Sequence, residues 1–138
     1  QLTYWMNRQI IDDYPMELVS PVDWTDESQN INDRVRSYLD VNCGHCHSPT
    51  GNANSTGLYL HLDETRNIHL GLYKKPVATG RGSGGLKYSI VPGKPDESIL
   101  LHRMISLDPG VMMPESGRAL SHTEAVDMVR EWILVMED

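Results

Sequence analysis

The chain has 138 residues, 39% hydrophobic and 22% charged, which suits one compact globular domain. No apolar run approaches the ~18 residues of a membrane span. A net charge of -7, from 12 basic and 19 acidic residues with no long run of one sign, argues against a nucleic-acid partner, whose phosphates need a basic footprint, and reads as the acidity of a dissolved surface.

Residues 1–27 read as an irregular arm. Gln1 reads as a mature or excised start, and no secretory leader stands before it. Pro15 and Pro21 break the arm, yet Tyr4, Trp5, Ile10, Ile11 and Trp24 are too apolar for a free linker. The arm is therefore expected to pack on the domain proper, residues 28–138, and to begin with a short helix. Ile31, Val35, Tyr38 and Leu39 repeat as one buried helix face, capped by Ser28 or Asn30. That helix runs straight into Cys43.

Residues 48–70 mix turn signals with the apolar positions Leu58, Leu60 and Leu62. Residues 71–95 hold six glycines and three prolines and read as loop, with 86–92 extended. A second helix is predicted from Pro95–Asp96, turning Ile99, Leu100, Met104 and Ile105 inward and ending at Asp108-Pro109-Gly110. Val111-Met112-Met113-Pro114 follows as an extended segment. The last helix opens with Ser121 and Glu124 in the spacing of a capping box, and Ala125, Val129, Trp132, Ile133 and Met136 form its inner face. The class is all-α with long loops.

The chemistry sits in Cys43-Gly44-His45-Cys46-His47, the attachment signature of haem c. Two thiols three residues apart each add to one vinyl group on a porphyrin edge, and the next histidine lies beneath the iron. Two rivals share these letters. A dithiol oxidoreductase needs a cysteine of low pKa, usually at a helix N-terminus after a strand, whereas here the motif follows a helix. Structural zinc needs four ligands, and only His47, His61 or His69 are at hand to join the two thiols.

A haem that carries electrons takes a sixth ligand, and methionine opposite histidine raises its potential. Of seven methionines, Met113 stands before a proline in a loop between helices, with Met112 its competitor. Met104, Met128 and Met136 read as core filler. His61, His69, His102 and His122 are less fitting donors. Gly80-Arg81-Gly82-Ser83-Gly84-Gly85 matches a dinucleotide fingerprint in letters, but it lacks the strand before and the helix after. It reads either as a plain surface loop or as one whose N–H groups and Arg81 face an anion, the haem propionates, with Tyr88 as a further donor.

The motif after a helix, Met113-Pro114 in a later loop and a closing helix with Trp132 together resemble the class I cytochrome c family. The resemblance implies the cytochrome c fold, in which first and last helices cross near a haem edge and Tyr38 or Leu39 meets Val129 or Trp132. The strings RSYLDVNCGHCH, TGLYL, GRGSGG, IVPGKPDESILLHRM and PGVMMPE are similar to bacterial exported haem c domains, found alone or at the C-terminal end of proteins with a second haem or carbohydrate-binding modules. That likeness implies the periplasm or cell exterior and Met113 as the distal ligand. The usual Gly-Pro stretch after the histidine, whose carbonyl takes the imidazole N–H, is replaced here by Ser48-Pro49-Thr50-Gly51, which leaves Pro92 as the expected acceptor.

The function expected is single-electron transfer by a monomer, through one covalent haem held by Cys43, Cys46, His47 and Met113. Its partners are expected to be redox proteins, including by analogy a secreted copper polysaccharide monooxygenase. The alternatives are a haem enzyme or sensor with an open sixth position, and a haem-free dithiol oxidoreductase.

Overall fold

The computed structural model describes residues 1–15 and 20–137, so residues 16–19 of the arm lie outside the description. Helices and loops make up the fold. The described residues hold no strand, only two isolated bridges, Leu72 with Ile90 and Tyr88 with Ser98. The α-helices are α1 (Leu2–Asn7), α2 (Ile31–Leu39), α3 (Asn67–Leu70), α4 (Ile99–Ile105) and α5 (Thr123–Leu134). Among them only α2, α4 and α5 reach seven residues.

The core lies where α2 packs on α5 and α5 on α4. Val35, Tyr38 and Leu39 from α2 join Ala125, Val126, Met128, Val129, Trp132 and Ile133 from α5, with Leu101 and Met104 from α4. Each fully buried aliphatic side chain here contributes about 1.5–3 kcal/mol of transfer free energy. One polar tie crosses the pair: Trp132 Nε1 donates to Asn32 Oδ1 at 3.1 Å.

The start of α2 is as the sequence reads, with Asn30 accepting from the Asn32 N–H. The cap of α5 is not. Its first turn has no side-chain cap, because Ser121 Oγ donates instead to the Met104 carbonyl at 3.2 Å, and Thr123 bonds the Glu124 carboxylate. In α4 the buried positions are Ile99, Leu101 and Met104, while Ile105 is 45% exposed. The helix stops at Ile105, so that residue lies on the end turned to solvent.

From the arm, Trp24 packs on the core, and Val22 N–H donates to Ser37 Oγ. The short helix α1 forms but buries none of its residues. The segment expected to be extended near Met113 is turned: Val111 and Met112 N–H both donate to the Asp108 carbonyl, and the Met113–Pro114 peptide is cis.

Candidate cofactor site

The Cys43–His47 motif grows directly out of α2. The helix widens into a π-turn over Asp40–Gly44, a form often found at functional sites, and then breaks at His45–His47. Two glycines make this path possible. A Cβ on Gly44 would lie 3.4 Å from the His61 Cα, and one on Gly51 would lie 2.2 Å from the Cys46 carbonyl oxygen. The chain from 58 to 64 therefore runs flush along the motif. Leu60 N–H donates to the His47 carbonyl at 2.8 Å, and Leu62 N–H to Asp40 Oδ1 at 2.9 Å. Arg36 Nη2 then reaches the carbonyls of His61, Leu62 and Glu64 at 3.0, 2.9 and 2.8 Å.

Both cysteines are free thiols. Cys43 packs against the core, and burial, reinforced by the neighbouring Cys46, pushes its pKa up to about 12. A dithiol redox centre needs the opposite, a thiolate stabilised near neutral pH. The position agrees with the shift: Cys43 follows the C-terminal end of α2, where the helix dipole is negative. Zinc fares no better, because no group of three or more His, Cys, Asp or Glu side chains among the described residues could hold an ion.

His47 carries the remaining chemistry. Burial lowers its pKa, so the ring is held toward its neutral form, opposed by the Leu58 backbone. Neutral imidazole is the metal-binding form. Its Nδ1 is buried with no hydrogen-bond partner, unusual for a buried polar atom. The backbone acting on the ring is thus Leu58, not Pro92. Pro92 lines a separate cleft of about 490 Å³ with Tyr73, Leu86, Lys87 and Tyr88, among whose walls no residue of 43–47 appears.

Comparisons with protein-family models, curated proteins and solved structures found no match.

Met113 is tied to a residue that acts on His47. Its N–H donates to the Arg103 carbonyl at 3.0 Å. Arg103 and Glu115, two residues beyond Met113, both act electrostatically on His47. Met113 is half-buried, as is Met112.

Arg81 and Tyr88 lie elsewhere. Arg81 does face an anion, but that anion is Asp108: two guanidinium nitrogens meet its carboxylate at 2.8 and 2.9 Å. Tyr88 sets its ring edge-on to Tyr73 at 5.8 Å. The glycine-rich segment Gly80–Ser83 is a 3₁₀ turn, and its glycines make room for side chains of α4. A Cβ on Gly82 would meet the Arg103 guanidinium at 3.3 Å, and one on Gly84 the His102 Nε2 at 2.5 Å.

Sequence reasoning missed Arg36, Leu58, Arg103 and Arg118. Each acts through, or on, a backbone carbonyl far along the chain, and no motif marks such pairs. Three rings whose meeting the sequence does not mark also come together. Tyr38 Oη lies 3.0 Å from His122 Nδ1, and Trp24 meets both rings edge-on at 5.6 and 5.0 Å.

The residues fit a covalent haem c. Two thiols at the right spacing stand beside a half-buried imidazole that is held toward its neutral form and has a buried, unpaired Nδ1. Near the Met113 thioether, Arg103 and Glu115 are close enough to act electrostatically on that imidazole.

Proposed function

We propose that this chain is a monohaem c-type cytochrome domain of the cytochrome c fold that passes single electrons between protein partners. The observation that carries this reading is His47: a half-buried ring held toward neutrality, with a buried and orphaned Nδ1, immediately after two free thiols. A haem bound here supplies one-electron cycling between ferric and ferrous iron.

The chain's own residues do the rest. Cys43 and Cys46 hold the porphyrin through their sulfurs. His47 would give the iron a nitrogen, and Met113 would give it a sulfur. The stitched segment 58–64 keeps the imidazole from turning, and the Leu58 backbone is placed to tune it. A soft thioether would favour ferrous iron, and two protein donors would keep small ligands from it, as a carrier requires. The redox partners would be proteins of the periplasm or cell exterior, where haem c is attached. A copper polysaccharide monooxygenase enters by analogy with domains that accompany carbohydrate-binding modules.

The test is expression in the periplasm of a host with the haem-attachment machinery. The expected product is red, heavier by one haem, and shows a sulfur-to-ferric-iron charge-transfer band that vanishes in Met113→Ala. Colourless protein of apo mass overturns the proposal. Covalent haem with a high-spin resting spectrum overturns the carrier role and leaves an open iron site.

A further inference from the structure

We infer that Arg118 and Arg103 are positioning residues that clasp Met113 to the end of α4 and so set the sulfur donor, an inference that rests on the haem reading above. The last carbonyls of a helix have no partner inside it. At the end of α4 these go to Arg118. Its Nη1 donates to the Met104 carbonyl at 2.6 Å, and its Nη2 to the Arg103 carbonyl at 3.2 Å and to that of Ser106. A guanidinium cation there also meets the negative end of the helix dipole.

The Arg103 carbonyl is shared. It accepts the Met113 N–H as well as Arg118 Nη2. The Arg103 side chain meanwhile turns forward, and its Nε donates to the Val111 carbonyl at 2.8 Å. Residues 111 and 113 are thus both tied to residue 103, and residue 103 is tied to the loop beyond. Gly82 lies flat on the Arg103 guanidinium from outside, so the glycine-rich turn covers the clasp.

Met112 is held differently. Its N–H closes a turn onto the Asp108 carbonyl at 2.8 Å. The clasp therefore singles out Met113 from its neighbour, a choice the sequence leaves open. The physical need is plain. A thioether is a weak donor, and its bond to a metal persists only where the backbone keeps the sulfur from swinging away.

The experiment compares Arg118→Ala and Arg103→Ala with the parent, reading amide hydrogen exchange at Met113 and at Val129 in α5. Losing bonds from a charged donor should speed exchange at Met113 about tenfold to a hundredfold, well beyond any acceleration at Val129. In the haem-loaded protein the charge-transfer band should weaken and the potential fall, while covalent haem is retained. Met112→Leu should leave the band intact. Unchanged exchange at Met113, or equal acceleration at Val129, overturns the clasp. If an alanine variant does not fold, Gly82→Ala, which crowds the guanidinium, carries the same readouts. A parent protein without the band defeats the methionine ligation, while the exchange data still decide the clasp on their own.

Discussion

Two loop segments of this chain are each held by one arginine that serves three backbone carbonyls, and the two are built in opposite directions. Arg36 projects from α2, between buried Val35 and Ser37, onto residues 61–64. Arg118 projects from a loop onto the end of α4. Each keeps a buried Nε with no hydrogen-bond partner, so the chemistry of the two staples matches and only the mounting differs. The first donor is anchored in the core. Its target segment is also stitched by Leu60, Leu62 and buried Glu64, which Arg66 and His69 hold. The second donor is itself on a loop, so loop and helix end secure each other. The side that carries the attachment motif is rigid by construction, and the methionine side is the one a substitution can loosen alone.

The largest expected effect follows from that asymmetry. Arg36→Ala leaves three carbonyls unpaired beside the motif and should cost about 3–4 kcal/mol in urea unfolding. Arg118→Ala should cost only about 1–2 kcal/mol, because two of its carbonyl partners keep another donor: that of Met104 keeps Ser121 Oγ and that of Arg103 keeps the Met113 N–H. Equal losses would break the comparison.

Gly84→Ala falls between them, at about 2 kcal/mol. Gly84 has φ +60, and the added Cβ would stand 2.5 Å from His102 Nε2. Thermal melts of Gly84→Ala beside Gly110→Ala sharpen the point. At Gly110 the Cβ meets the flexible end of Arg81 at 2.1 Å, which can move aside.

A pH titration separates the two regions further. Side-chain hydrogen bonds from Arg66, reinforced by its backbone and by His69 against the cost of burial, hold the Glu64 carboxyl well below the usual carboxylate range. A carboxylate with a depressed folded pKa stabilises above its ordinary pKa and loses that contribution as pH falls. Stability should therefore drop from about pH 5 toward pH 2, and Glu64→Gln should flatten that slope in urea titrations at stepped pH. A slope unchanged by the substitution would remove Glu64 from the rigid side. The smallest effect belongs to Arg81→Ala. Its ion pair with Asp108 is exposed, and its loss should cost no more than about 0.5 kcal/mol by urea midpoint.

Much of the helical framework was legible in advance. The buried face of α2 reads from Ile31, Val35, Tyr38 and Leu39, and that of α5 from Ala125, Val129, Trp132 and Ile133, because a period of 3.6 marks one side of a helix. Short elements were not legible. The four-residue α3 and the 3₁₀ turns carry too few residues to show a period. Ser121 had the right spacing for a capping box, but the carbonyl of Met104 took its hydroxyl. For Arg81 the sequence leaves a plain surface loop and a loop facing the haem propionates equally open, and the anion it meets is the carboxylate of Asp108. Pro92 was the carbonyl expected at His47, and the backbone that acts on that ring is instead that of Leu58, because what lies beside the ring is set by how segment 58–64 folds back and not by where prolines fall.

The sequence by itself determined what is local: two amphipathic helices, and two thiols with an imidazole in a spacing that places all three on one turn. The tertiary structure alone decided which carbonyl each arginine meets, that Leu58 lies at the imidazole, and that the backbone of Met113 is tied to α4 while that of Met112 closes a turn. Periodicity and spacing report neighbours a few residues apart. Hydrogen bonds such as those from Arg36 to residues 61–64 join groups more than twenty positions apart, and they exist only once the loops have closed.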